Sequence, residues 1–229
     1  YDSIRADSLK KHGVPLAVTA KHSTDAVARH SLSLLLSLTN NLLTQNYSAY
    51  LGIWDRTLNL SADKTIIGLI GMGAIGQKFA SYLLMLGFKV KYFSRSRNPE
   101  VEKKGVEYVS TIKKLVHLSD IISIHLKLTK ETENIINREI VELLKGKYFI
   151  NTSRGGLVDE EALFEHLSNG NIKGAGLDVY KVEPATGRSQ TLQSLANVTA
   201  TCHVSAYDRS SIMSVGEEAI GNIKKFFQS

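Results

Sequence analysis

The sequence predicts an α/β fold, a doubly wound parallel sheet with helices on both faces, and three observations carry that prediction. Short apolar, β-branched runs alternate with helical patterns along most of the chain. One such run, residues 66–70, breaks into closely spaced glycines just before an amphipathic helical pattern begins. Polar residues recur just after successive runs, where an open parallel sheet gathers its ligand-binding loops.

Taken in order, residues 1–11 are expected to form a short polar helix, residues 13–15 a turn, and Leu16, Ala17, Val18 and Thr19 one strand. Ser23, Thr24 and Asp25 supply cap candidates for a mostly buried helix running to about Thr44, apolar at Val27, Leu34, Leu35, Leu38 and Leu42. Residues 47–62 connect, and the lone Trp54 suits a core or an interface. The central strand, residues 66–70, leads into Gly71, Gly73 and Gly76, the G-x-G-x-x-G spacing. In that spacing the first glycine permits a tight turn, the second lets backbone approach a pyrophosphate, and the third lets helix pack closely on strand. The helix that follows, apolar at Ile75, Phe79, Tyr82, Leu83 and Leu86, would present unpaired N–H groups and a positive dipole end to the phosphates.

The second strand, residues 88–93, ends in Ser94, Arg95, Ser96 and Arg97. A carboxylate about 20 positions past the glycines would hold the 2′-OH of NAD. Two guanidiniums and two hydroxyls stand there instead and suit a 2′-phosphate, so NADP is the expected cofactor and NAD the second choice. Beyond it, helices are expected at 109–118, 137–144 and 159–168, the last capped by Asp159, and at 217–227. Strands are expected at 120–124, 147–151, 175–179 and 198–201. Arg154, Glu183 and His203 each follow one of these strands. The set suits a small 2-oxo acid: a guanidinium clamps a carboxylate, an imidazole gives a proton to the carbonyl, and a carboxylate orients the imidazole.

Composition narrows the alternatives. At 229 residues, 43% hydrophobic and 22% charged, the chain has the length of one large domain or a domain and a half. The net charge of +6 comes from scattered basic residues without aromatic interleaving, which argues against nucleic acid as a partner. The single Cys202 excludes an internal disulfide framework and fits a reducing compartment, the cytoplasm. No H-x-x-x-H pair points to metal, and the most apolar helical stretch, residues 32–43, is too short and too polar to span a bilayer.

With these residues assembled, the sequence resembles the D-isomer-specific 2-hydroxyacid dehydrogenases. The resemblance rests on Thr24 to Ala28, the glycine loop, His125 to Thr129 with Glu131 and Thr132, Phe149 to Gly155, Gly176 to Tyr180 with Glu183 and Pro184, and Asn197 to His203. It implies catalytic roles for Arg154, Glu183 and His203. It implies amides of Ala74 and Ile75 on the pyrophosphate, a cofactor groove lined by Leu126, Thr132 and Thr152, and Asp178 at the nicotinamide carboxamide. The arginines at 95 and 97 are similar to those of the NADP-using glyoxylate and hydroxypyruvate reductase branch, and a small 2-oxo acid is the implied substrate. A catalytically silent, corepressor-type interaction module is the rival that the family also holds. Relative to family members, the chain is expected to begin just after a substrate-binding loop. Residues 1–23 would then be a remnant of the substrate domain, 24–203 the dinucleotide-binding domain, and 204–229 a helix returning to the substrate domain. That helix, carrying Ile220, Ile223, Phe226 and Phe227, is expected to lie against the helix beginning near Ser31 or against a second copy, making a homo-oligomer. Arg29, Asn40, Lys127 and Cys202 stand where the family usually has Glu, Arg, Pro and Pro.

Overall fold

The computed structural model describes residues 4–19, 22–54 and 56–228. Among these, seven parallel strands form one sheet in the order β3-β2-β1-β4-β5-β6-β7. The strands are β1 (Ile66–Ile70), β2 (Lys89–Phe93), β3 (Glu107–Tyr108), β4 (Ile121–Ile124), β5 (Tyr148–Asn151), β6 (Gly174–Leu177) and β7 (Val198–Ala200). The helices are α1 (Ala6–Lys11), α2 (Thr24–Thr39), α3 (Leu42–Tyr50), α4 (Ala74–Met85), α5 (Pro99–Glu102), α6 (Ile112–His117), α7 (Arg138–Leu143), α8 (Glu160–Ser168), α9 (Arg188–Gln193) and α10 (Arg209–Gln228). The strand order reverses direction between β1 and β4, which makes their carboxyl ends the topological switch point.

The pleat divides the central strands between two cores. In β1, Ile67 and Leu69 face α2 and α4, in a cluster with Leu35, Phe79, Leu83 and Tyr92. Ile70 faces the other way, with Ile122, Ile124, Phe149 and the apolar sides of α6, α7 and α8. Burial on both faces is why β1 carries only apolar residues and glycine and why β4 is apolar except for the buried Ser123. In β6 the small residues do a related task. A Cβ on Gly176 would stand 2.9 Å from that of Leu34, so α2 lies directly on the strand backbone.

Several expected elements differ. Residues 16–19 form no strand. The helix expected to reach Thr44 stops at Thr39, because Asn41 takes a left-handed conformation (φ 50°) and starts α3 in a new direction. Trp54 is 85% exposed, so it is not a core residue of this chain. Val109 precedes α6, where Thr111 supplies the cap by accepting from the Lys114 N–H. Asp178 and Val179 lie beyond β6. α10 begins eight residues earlier than its apolar pattern suggests, and among its described residues only Ser211 is buried. Its Ile220, Ile223, Phe226 and Phe227 stay exposed instead of packing on α2. Strand β3 and helices α5 and α9 were too short to show in the periodicity. The first three residues of the expected N-terminal helix lie outside the described residues. No described helix is long and apolar enough to cross a membrane.

Leu35 is fully buried where α2 meets the sheet. Leu35→Ala should lower the unfolding free energy by about 2 to 5 kcal/mol, measured by denaturant titration. A loss below about 1 kcal/mol would mean that α2 is not part of the cooperative core.

Candidate active site

Because all seven strands are parallel, the loops that follow them share one edge, and the residues singled out above stand on it. At the switch point, Gly71 has φ 104° and donates its N–H to the Phe93 carbonyl at 2.8 Å. A Cβ there would lie 2.3 Å from the His125 carbonyl oxygen, and one on Gly76 would lie 2.5 Å from the Gly71 oxygen. Only glycine fits either position. A Cβ on Gly73 would meet nothing within 4 Å. That open side adjoins the start of α4, where Ala74 is exposed and no side chain caps the helix. Crowding behind the loop and space in front of it, at uncapped helix amides, fit a pyrophosphate.

Past β2, Arg95 is exposed and close enough to help hold the Glu131 carboxyl below its usual range, after the Thr129 hydroxyl bond that dominates there. Arg97 is turned back, paired with Glu102 and stacked 5.2 Å over the Tyr108 ring. The Ser94 hydroxyl bonds the Ser96 carbonyl within the same turn. Thr132 Oγ1 donates to the Lys127 carbonyl at 2.6 Å and so staples its own loop. Leu126 is half-buried behind Gly71. Thr152 is buried and hydrogen-bonded to Ser31 Oγ of α2 at 2.8 Å.

Two of the three candidate catalytic residues meet directly. His203 Nδ1 lies 2.6 Å from Glu183 Oε2, and since a carboxylate only accepts, Nδ1 carries the proton and leaves Nε2 to the open side. Glu183 Oε1 accepts the Tyr180 N–H at 2.9 Å, which fixes the carboxylate from behind. Arg154 is on the neighbouring loop. The Asn151 side chain holds that loop by donating to the Arg154 carbonyl at 2.9 Å and accepting from the Ser153 N–H at 2.9 Å.

His203 is a non-glycine residue at φ 53°, a conformation that persists only where neighbours enforce it. Asp178 is the enforcer. Its carbonyl accepts the His203 N–H at 2.7 Å, and its fully buried carboxylate accepts the N–H groups of Val204 and Ser205, each at 2.9 Å. Thr201 Oγ1 donates to the same carboxylate at 2.6 Å, and His30 Nε2, 2.9 Å from Thr201 Oγ1, completes a polar row from α2. Burial pushes the Asp178 pKa up, but these hydrogen bonds outweigh it and hold the carboxyl below its usual range. The residue pattern did not reveal His30, which stands between Arg29 and Ser31 among the other polar residues of α2.

Behind the glycine loop, His125 is buried, with Nε2 2.9 Å from Ser123 Oγ and its ring edge-on to Phe79 at 5.3 Å. Burial pushes its pKa down to about 4.

The switch-point sheet, the glycine loop at an uncapped helix start and the His–Glu pair on the same edge define a dinucleotide-binding domain of the oxidoreductase class. A family model described as "D-isomer specific 2-hydroxyacid dehydrogenase, NAD binding domain" matches residues 32–205, and the chain belongs to that family. It is 37% identical to the hydroxypyruvate reductase of Thermotoga maritima over 98% of this chain and 74% of that protein. Among solved structures it is similar to a D-lactate dehydrogenase from Aquifex aeolicus complexed with NAD and lactic acid (TM-score 0.94, 31% identity, 100% of this chain and 74% of that one). It is likewise similar to an acyclic imino acid reductase in complex with NADPH and D-Arg (TM-score 0.87, 31% identity, 100% and 73%). The chain spans between 43% and 74% of the length of the first curated relatives it matches.

The buried His125 makes a prediction about acid stability. Its pKa is about 4 when folded and about 6.5 when exposed, so the unfolded chain takes up the proton first as pH falls. Stability from this group is complete above about pH 6.5 and is lost as pH falls towards 4, by roughly 3 kcal/mol in all. Denaturant unfolding across that window should show a shallower pH slope for His125→Gln than for the unsubstituted chain. Equal slopes would mean that the ring is not held neutral.

Proposed function

We propose that this chain carries the cofactor site and catalytic set of an NADP(H)-linked dehydrogenase that reduces a small 2-oxo acid, such as glyoxylate or hydroxypyruvate, to the 2-hydroxy acid. The observation that carries this reading is the 2.6 Å His203–Glu183 pair on the strand edge that also bears the glycine loop. The nicotinamide, when bound, supplies the hydride. Amides of Gly73, Ala74 and Ile75 would hold the pyrophosphate, with Leu126 and Thr152 beside the groove.

In the reduction direction the imidazolium form of His203 gives its Nε2 proton to the carbonyl oxygen of the substrate and becomes the neutral ring, while the Nδ1–H stays with Glu183. Glu183 keeps the ring in that orientation and stabilises the imidazolium when the proton returns in the reverse direction. Arg154 clamps the substrate carboxylate, drawing the carbonyl towards the imidazole. NADP is favoured over NAD because Arg95 is exposed at the end of β2 with no carboxylate in the turn to repel a phosphate. Of the two arginines, Arg95 is the one that meets the 2′-phosphate, since Arg97 is engaged by Glu102 and Tyr108. Residues 24–203 form the dinucleotide-binding unit on this reading, with 1–23 and 204–229 belonging to the substrate domain. A homo-oligomer is supported by exposed Tyr50, Trp54 and Leu58 and by the apolar side of α10. A reducing compartment is supported by the lone, exposed Cys202.

His203→Ala should lower turnover of 2-oxo acids by about 10² to 10⁴ while NADPH binding survives, read by NADPH oxidation and separate titration. Turnover that ignores His203 would remove the dehydrogenase reading, and NADPH binding with no turnover at all would leave the corepressor-type module. Arg95→Ala should weaken NADPH by about tenfold or more, from the loss of roughly 1.5 to 3 kcal/mol of charge-assisted hydrogen bonding, and leave NADH nearly unchanged. Equal weakening of both would return the cofactor preference to NAD.

A further inference from the structure

Glu160 is the first residue of α8, and its carboxylate is over nine-tenths buried although it belongs to no surface ion pair among the described residues. The neighbouring Asp159 already caps the helix by accepting the Ala162 N–H at 2.9 Å, so capping does not account for Glu160. Its side chain points instead at the loop after β6. Oε2 accepts the Lys181 N–H at 2.7 Å, and Oε1 accepts the hydroxyl of the buried Ser189, from α9, at 2.5 Å. The Ser189 hydroxyl in turn accepts the Val182 N–H at 3.4 Å. Three consecutive amides are thereby accounted for: Tyr180 bonds Glu183, Lys181 bonds Glu160, and Val182 bonds Ser189.

The same stretch touches the rest of the site. A Cβ on Gly155 would lie 2.0 Å from the Tyr180 carbonyl carbon and 2.3 Å from the Lys181 nitrogen, so the turn carrying Arg154 is seated directly on this peptide. Glu183 follows two residues later and holds His203. The Tyr180–Lys181 peptide is therefore the point through which Arg154, Glu183 and His203 are placed relative to one another. Among the described residues, the only side-chain acceptor on its N–H is Glu160. A buried carboxylate is costly unless its lone pairs are filled, and here they are filled by the groups that set the catalytic geometry.

We propose that Glu160, with Ser189, is a positioning residue of the catalytic pair, acting through the Tyr180–Lys181 peptide to hold Glu183 on Nδ1 of His203. The assignment rests on the reading of His203 and Glu183 given above. It makes no contact with substrate or cofactor necessary for Glu160.

The test uses the chain as it stands, labelled with ¹⁵N-histidine, and reads the tautomer of the neutral His203 ring by NMR. Glu183→Gln serves as reference and thermal melting reports on folding. The unsubstituted chain should hold the Nδ1–H tautomer. Glu160→Ala, where it melts cooperatively, should drift towards the Nε2–H tautomer that a free imidazole favours, and Glu160→Gln, which keeps an acceptor for Lys181, should restore Nδ1–H. In turnover assays Glu160→Ala should lower kcat at least tenfold with KM for NADPH changed less than twofold, and Glu160→Gln should recover most of the loss. A folded Glu160→Ala chain with the tautomer of the unsubstituted chain overturns the proposal. Should Glu160→Ala fail to fold, Ser189→Ala is read in the same spectrum, where a partial drift supports the proposal and an unchanged ring overturns it. Loss of the underlying reading looks different: His203→Ala would then turn over 2-oxo acids at the unsubstituted rate whatever Glu160→Ala does to the tautomer.

Discussion

The structure depends on one place where no side chain can exist, the crossing of the glycine turn over the end of β4. Gly71 bonds the end of β2 through its N–H, and its α-carbon presses on the His125 carbonyl, while the His125 N–H bonds Ile70 at 2.7 Å. Three strand ends are drawn together by backbone alone. That closeness sets where α4 begins, and Gly76 repeats the constraint one turn into the helix by sitting against the Gly71 oxygen. A methyl group at either glycine would push the helix start away from the sheet edge and carry its unpaired amides out of reach of any ligand held there. The buried, neutral His125 is a consequence of the same crowding, since the strand that abuts the turn must bring its next side chain into the core beneath α4.

The parallel register then extends this arrangement along the edge. Each loop on it leaves the sheet without strand partners for its amides, and these must find acceptors where the loop is buried. Besides Glu183, which takes Tyr180, two buried carboxylates supply them. Asp178 takes Val204 and Ser205, and Glu160 takes Lys181. A carboxylate offers two oxygens with several lone pairs, so it can gather converging N–H groups that a single carbonyl could not. The strain of His203 at positive φ is sustained because its own N–H and the next two amides all end on Asp178.

Much of this was legible in the sequence, and the limits have physical reasons. Runs such as Ile66 to Ile70 and Ile121 to Ile124 announce strands buried on both faces, and the glycine spacing announces the turn, because both are local requirements written in adjacent residues. Arg154, Glu183 and His203 stand out as polar residues after strands. What could not be read was the partner of each side chain across the fold. Arg95 and Arg97 look equivalent in sequence, yet Arg97 is engaged by Glu102, five residues on, at the end of a helix too short to leave a periodic signal. Glu160 beside Asp159 looks like a second acidic residue in a helix's first turn, a position that usually answers the dipole at the surface. The break at Asn41 escaped because Leu42 and Leu43 continue the apolar pattern, although both are exposed and only the left-handed backbone turns the chain.

The distribution of polarity around the site follows from these constraints. Groups that meet substrate must stay accessible, and the His203 and Glu183 side chains are 41% and 32% exposed. Groups that aim them can be buried, because a hydrogen bond in a low-dielectric interior is stiffer and is not exchanged with water. Asp178, Glu160 and Ser189 are accordingly almost inaccessible, one step behind the accessible pair. The polar row from His30 through Thr201 to Asp178 reaches the same loop from α2, the helix that also meets the sheet at Gly176. Helix packing on one face and the loop geometry at the edge are thus joined through a single buried carboxylate. A displacement of α2 would therefore be felt at His203 through the His30, Thr201 and Asp178 hydrogen bonds.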